Sequence, residues 1–296
     1  MMRGTVQKVG MFPNLAEESG PNRPGQTFRL TIAYDGTDFF GWQIQPDLPT
    51  IQGAIAAAVR EIVGESVLPQ GSGRTDTGVH AEGQVASLML QAPIPADRLL
   101  TALNRRLPAA IRVMALRKVA SDFHARASVQ NKTYEYRIFE RTNNGVNDER
   151  ICPPALSRFV WDCRWPLQME PMQRAADALV GEHDFSSFAA SDPDRTRRMA
   201  DADEPVNNVR TLFSATWRRS GDLLIFRVTG SGFLHHMVRN IVGTCVEAGA
   251  GRLHPEQVPQ ILAARDRSRA GATAPPQGLH LVNVVYRGDI VEGGCA

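Results

Sequence analysis

Lysine is scarce in this chain of 296 residues: Lys8, Lys118 and Lys132 are the only ones, and every other fixed cation is arginine. Arginine-for-lysine follows from GC-rich codons as readily as from phosphate recognition, where the guanidinium fork is favoured. A strong charge excess is also missing. The formal net charge is +2, so nucleic acid binding would need positive charge gathered locally. The four cysteines, Cys152, Cys163, Cys245 and Cys295, form no CxxC pair and no zinc spacing. They read as free thiols of a reducing compartment, which points to the cytoplasm. No apolar run is long enough to span a membrane. Residues 1–25 offer no run that suits a signal peptide. With Pro13, Gly20, Pro21, Pro24 and Gly25 they read as a disordered tail. At 43% apolar and 22% charged residues, the rest can bury a core without disulfides or metal.

The periodicities alternate between two types. Thr27–Tyr34 alternates as a half-buried strand does, and Asp35-Gly36 ends it. Ile51, Ile55, Val59, Ile62 and Val63 recur at helical spacing. A short strand is expected at Ser66–Leu68, a long one at Val79–Gln91, and a helix at Ala96–Leu107, stopped by Pro108. Strands follow at Ile111–Val119 and Ser128–Phe139. Residues 141–166 loosen into a connector with Pro153-Pro154, which divides a half at 26–140 from one at 167–296. The second half is expected to hold helices at Glu170–Val180, Phe233–Ala248 and Pro255–Ala264. Its expected strands are Val209–Trp217, Leu223–Thr229 and His280–Arg287. Segment 191–207 reads as a charged loop. No sequence repeat of fixed period is visible. The mixture predicts an α+β sheet protein.

The strongest chemical signal is the run Gly71 to His80, GSGRTDTGVH. Asp76 sits between glycines that let a backbone approach a ligand, two residues after Arg74. A nearby arginine keeps a carboxylate ionised, hence nucleophilic or basic. A turn in which Asp76 merely caps the next element fits the spacing equally well. The run matches neither G-x-G-x-x-G nor G-x-x-x-x-G-K-[ST], so a nucleotide cofactor is not expected.

Gly73 to Ala81, GRTDTGVHA, resembles the catalytic motif of the tRNA pseudouridine synthase A family, in which the aspartate is essential. The likeness continues through Tyr34 to Gln43, Thr50 to Gln52, Phe123 to Arg126, Lys132 to Tyr136, Gly181 to Phe188, Phe233 to Gly243, Thr273 to Pro275 and Gly278 to Leu281. Phe40 and His280 stand where that family commonly has tyrosine, away from the presumed chemistry.

The resemblance implies two ferredoxin-like halves in one extended, mainly antiparallel sheet flanked by helices, with the active cleft between them. It implies isomerisation of uridine to pseudouridine at positions 38 to 40 of the tRNA anticodon stem-loop. It implies a homodimer and no cofactor. Asp76 would be catalytic, attacking the ribose or taking a ribose proton. Arg74 would hold the target base out of the helix, Tyr134 would stack on the uracil, Arg239 would pair with Asp76, and Leu281 would line the pocket. His80 and Arg126 would face the RNA along with Arg74.

Other readings stand beside these. Tyr134 or Tyr136, two residues apart on one strand face, could be packing alone. Arg239, on an apolar helix, needs an acid, either Asp76 or another. Arg195, Arg197 and Arg198 could bind phosphate or simply be solvated. His235 and His236 would diverge by about 100° on a helix, so no metal is expected. A glycosidase would need two carboxylates, and one has a convincing setting. A non-catalytic RNA-binding protein on the same scaffold would have no need of Asp76.

Overall fold

The computed structural model describes residues 25–142, 150–191 and 207–289. The N-terminal tail, most of the charged loop with Arg195, Arg197 and Arg198, and Cys295 lie outside the described residues. The strands are β1 (Gln26–Tyr34), β2 (Gln70–Gly71), β3 (His80–Leu90), β4 (Ile111–Val119), β5 (Val129–Glu140), β6 (Trp161–Cys163), β7 (Gly181–Asp184), β8 (Val209–Ser220), β9 (Leu223–Gly230) and β10 (Leu279–Tyr286). The helices are α1 (Ile51–Val63), α2 (Ala96–Arg106), α3 (Pro154–Ser157), α4 (Met169–Asp177), α5 (Met237–Gly249) and α6 (Val258–Ala264).

All ten strands join one sheet, ordered β4-β1-β3-β10-β5-β9-β8-β7, with β2 also on β3 and β6 also on β5. Among the described residues two pairings are parallel, β3 with β10 and β5 with β6; the other seven are antiparallel. The sheet repeats a topology that the sequence does not repeat. The segment β1-α1-β2-β3-α2-β4 gives the order β4-β1-β3-β2, and β5-α4-β8-β9-α5-β10 gives β10-β5-β9-β8. Both are the β-α-β-β-α-β arrangement of a ferredoxin-like unit. They meet at β10, which lies between β3 and β5.

Local chemistry accounts for the element ends. The Thr50 hydroxyl accepts from Gly53 N–H at the start of α1, and Gly64 closes it at φ 77°. The strand expected at Ser66–Leu68 is absent. Pairing with β3 begins only at Gln70, past Pro69, which has no N–H to give a ladder. The connector holds α3 and β6, and the turn after α4 forms β7 on the sheet edge; these elements are too short to show a period. The helix expected from Phe233 starts four residues later, at Met237, because His236 is left-handed at φ 58°. Pro255–Gln257 forms a 3-10 turn ahead of α6.

The core follows the expected faces. Phe28, Leu30 and Ile32 of β1 are buried with Ile51, Ile55 and Val59 of α1, while Leu224, Phe226 and Val228 of β9 are buried with Ile241, Val242 and Cys245 of α5. Side chains of this kind each contribute roughly 1.5–3 kcal/mol by leaving water. No helix among the described residues is long and apolar enough to cross a membrane.

Candidate active site

The loop between β2 and β3 is anchored from beneath. Ser72 donates its hydroxyl to the Gln84 side chain at 2.7 Å, and Gln84 donates in turn to the Gly73 carbonyl at 3.0 Å. The Tyr34 and Thr75 hydroxyls are 2.8 Å apart, and Trp42 N–H donates to the Thr75 carbonyl at 3.0 Å. Gly41 is what allows that approach. Its φ is +82°, and a side chain there would sit 2.6 Å from the Thr75 carbonyl oxygen. Burial pushes the Tyr34 phenol up to about 12. The loop thus presents Asp76 on a fixed backbone, four residues before β3 begins at His80.

The second unit brings the partners. Helix α5 places Arg239, only 12% exposed, with Nη1 donating to Asp76 Oδ2 at 3.0 Å. Its Nε donates to the Ala274 carbonyl at 2.7 Å, and Ala274 N–H returns a bond to the Arg239 carbonyl. That segment can lie against the helix because Gly243 has no side chain to meet the Ala272 carbonyl. Asp76 itself is 21% exposed. Ion pairing of this kind, half sheltered from water, fixes the carboxylate's direction as well as its charge.

Together these elements line a cavity of about 1000 Å³ that draws on both units. Tyr134 of β5 is buried at its wall and meets Phe233 edge-on, with ring centroids 5.0 Å apart. Burial first, then the neighbouring Tyr34 and Asp76, push its phenol well up, so it stays neutral. Tyr136, on the same strand face, does not reach the cavity. It is fully buried and donates to the Pro275 carbonyl at 2.7 Å, so of the two tyrosines it is the packing one. Arg74 and Arg126 are exposed at the cavity, and the partly buried Lys132, Arg210 and Arg239 line it with them. Asp76 is the one carboxylate among the described lining residues. The nearly neutral protein has therefore collected cations here.

Some expected residues stand elsewhere. His80 is 2% exposed; its Nδ1 accepts from Gly36 N–H and its Nε2 meets the Arg158 carbonyl at 2.9 Å. Both nitrogens are engaged inside the fold, which leaves it no face for RNA. Leu281 is buried in register with Tyr134 and Ala81, and Leu279 is the leucine of β10 on the cavity wall. Phe40, expected to be remote, lies on the cavity rim.

The cavity is lined by three more polar side chains that the sequence reading had not placed in the site. Lys132 donates to the Ser72 carbonyl at 2.6 Å, and burial brings its ammonium down to about 8. The signal was its being one of three lysines, inside a matched motif. The other two are His235 and His236. Because α5 starts after them, they do not diverge as helical neighbours would. Their rings lie 4.0 Å apart, with His235 Nε2 3.6 Å from Asp76 Oδ1 and His236 Nε2 3.3 Å from Oδ2. Burial lowers the His236 pKa, against the pull of Asp76. One ligand atom from each of the three residues falls within 4.8 Å of the others.

A carboxylate fixed by arginine, a buried tyrosine beside it and a cationic rim form a site for a reacting polyanion. Comparison with known proteins agrees with that description. The tRNA pseudouridine synthase family model matches residues 30–126 and 175–287. The chain is 45% identical over 261 residues to the tRNA pseudouridine synthase A of Moorella thermoacetica, covering 87% of this chain and 98% of that one. It is 45% identical over 259 residues to the protein of the same name from Solibacter usitatus, with 87% and 98% covered. Against that of Halalkalibacterium halodurans it is 45% identical over 251 residues, covering 84% and 89%. The chain belongs to the tRNA pseudouridine synthase family.

Proposed function

We propose that this protein isomerises uridine to pseudouridine in the anticodon stem-loop of tRNA, at positions 38 to 40, with Asp76 as the catalytic residue. The observation that carries the reading is the Asp76–Arg239 pair opening into a cavity with Tyr134 at its wall. The reaction breaks the N1–C1′ bond, turns the uracil and joins C5 to C1′. N1 gains a proton and C5 loses one, so atoms and electrons balance without oxidant or energy donor. Asp76 serves either as nucleophile at C1′ or as base at C2′. Arg239 holds its carboxylate in one direction, so little reorganisation is needed as charge develops. Tyr134 offers a neutral aromatic face to the base once it has left the helix. Arg74 and Arg126, with Lys132 and Arg210, suit the phosphates on either side. Leu281 supports the wall from behind, in register with Tyr134.

A glycosidase reading fails on the carboxylate count: such enzymes place two acids about 5–10 Å apart, and the described cavity has Asp76 alone. A purely RNA-binding role leaves the orientation of Asp76 by Arg239 without purpose. We also propose a homodimer in which one tRNA touches both subunits, and a cytoplasmic location. The three cysteines among the described residues are free, in keeping with a reducing compartment.

Asp76→Asn tests the central claim. Turnover should fall by at least about 10³-fold, while tRNA affinity, which comes mainly from phosphate contacts, should change by less than about threefold. Single-turnover assays with mapped pseudouridine, beside a binding titration, give both numbers. Substantial product from the asparagine variant would remove Asp76 from its role.

A further inference from the structure

His235 poses a problem that a cation solves. Its Nδ1 lies 2.8 Å from the Ser191 carbonyl, which can only accept, so Nδ1 carries the hydrogen. In the neutral ring Nε2 then bears a lone pair, and that lone pair faces Asp76 Oδ1 at 3.6 Å, another acceptor. Two acceptors held face to face are stabilised by a positive centre between them, either a second proton on the ring or a metal ion. His236 adds a third donor, its Nε2 3.3 Å from Asp76 Oδ2.

The distances suit a metal ion. Zinc bonds of about 2.0–2.1 Å at tetrahedral angles separate neighbouring ligand atoms by about 3.3–3.4 Å. His235 Nε2 lies 3.6 Å from Oδ1 and His236 Nε2 lies 3.3 Å from Oδ2, each near that span, and one ligand atom from each of the three residues lies within 4.8 Å of the others, so a small side-chain adjustment closes the set around an ion. The Ser191 carbonyl stands where metal-bound histidines usually find their orienting partner, on the far nitrogen. Two imidazoles and one carboxylate favour a borderline divalent ion over magnesium. The group opens into the cavity, which leaves a fourth position for water.

We propose that Asp76, His235 and His236 form an inhibitory site for a zinc-class divalent ion, filled in the RNA-free protein and emptied when RNA enters. A metal on Oδ1 neutralises Asp76 and occupies the space where the ribose must come. Arg239, already on Oδ2, competes for the same charge and keeps the ion exchangeable. The inhibition rests on the catalytic reading of Asp76; the binding does not.

Cobalt(II) added to the full-length, RNA-free protein is the probe, since its visible absorption reports coordination by nitrogen and oxygen. One equivalent should bind, zinc should displace it, and tRNA should release it. His236→Ala and the double variant H235A/H236A should each bind at least about tenfold more weakly. Thermal melting checks that they fold; the single variant is kept because the His235 ring and backbone also hold Ser191 and Ala190. In pseudouridine assays at fixed magnesium, zinc should inhibit the wild type. The inhibition constant should rise by the same factor in each variant, measured against that variant's own metal-free rate. Cobalt affinity unchanged in the folded single variant, thiolate bands marking cysteine coordination, or metal and tRNA bound together would overturn the proposal. A protein that binds cobalt as described yet makes no pseudouridine would break the functional reading and leave the site standing.

Discussion

Two pairs of histidines lie in this molecule with their rings in contact, one stacked and one tilted, and they do opposite things. His80 and His280 face each other across the short parallel pairing of β3 with β10, ring centroids 4.8 Å apart. They are 2% and 3% exposed, and their Nε2 atoms meet the carbonyls of Arg158 and Phe159. His235 and His236 are closer still, but their side chains are 36% and 27% exposed and their Nε2 atoms face a carboxylate. The first pair is a neutral fastener that tacks residues 158–159 to the seam of the two units. The second waits on a cation. Both pairs bring two imidazoles together; water and the partner oxygen decide the chemistry.

The contrast breaks most sharply at the cavity pair's anchor. Arg239→Ala frees Asp76 from its only guanidinium at bonding distance among the described residues, and turnover should fall by about 10²–10³-fold. Affinity for tRNA should move little. Adding it to Asp76→Asn should cost almost nothing further, because the two act as a unit. Single-turnover rates of the two single variants and the double settle this. A normal rate from the alanine variant would separate Arg239 from the chemistry.

The seam pair is tested by acid. Burial carries the His280 pKa down to about 3 from 6.5 and lowers that of His80 in the same direction. The unfolded chain therefore binds protons that the folded one refuses once the pH drops below about 6.5. The His280 contribution is fully present above that pH and is lost on the way down to about 3, and the His80 contribution is lost in the same direction as the pH falls. The slope is up to about 1.4 kcal/mol per pH unit for each histidine. His280→Phe keeps a ring at the seam and removes one titrating group. Urea denaturation from pH 8 to pH 5 should show a shallower acid slope for this variant. Parallel lines for variant and wild type would mean that His280 is charged in the fold.

The smallest effect expected is at Lys132. It is a cation of the cavity and also a strut under Ser72. Lys132→Met should weaken tRNA binding several-fold and lower the salt slope of binding by about 1. With its ammonium near 8, wild-type affinity should also drop above that pH, and the methionine variant should lose this dependence.

Much of this was legible in the sequence, for reasons that also mark the limits. The Asp76 loop was readable because glycines and an arginine crowd one acid. Arg239 was readable because a guanidinium on an apolar helix must find a carboxylate. β1, α1 and β9 were readable from local period. The start of α5 was not. A left-handed histidine at position 236 is unusual, and nothing in FLHHMV announces it. That single backbone angle reversed the expected geometry of both histidines. Sheet order was equally hidden, since pairing is non-local. No pattern in Leu279–Tyr286 says that it lies between β3 and β5. For the same reason Leu281 was expected on the wall that Leu279 occupies.

That insertion of β10 has a consequence in time. It touches β3 through two residue pairs and β5 through seven, and it is nearly the last described segment to leave the ribosome. Until residues 279–286 are made, the loop bearing Asp76 and the strand bearing Tyr134 have no shared sheet to register them. A nascent chain can shape its first unit early, yet it carries no assembled cavity. A growing polypeptide that has not reached residue 279 therefore lacks the strand that joins its two units into one sheet.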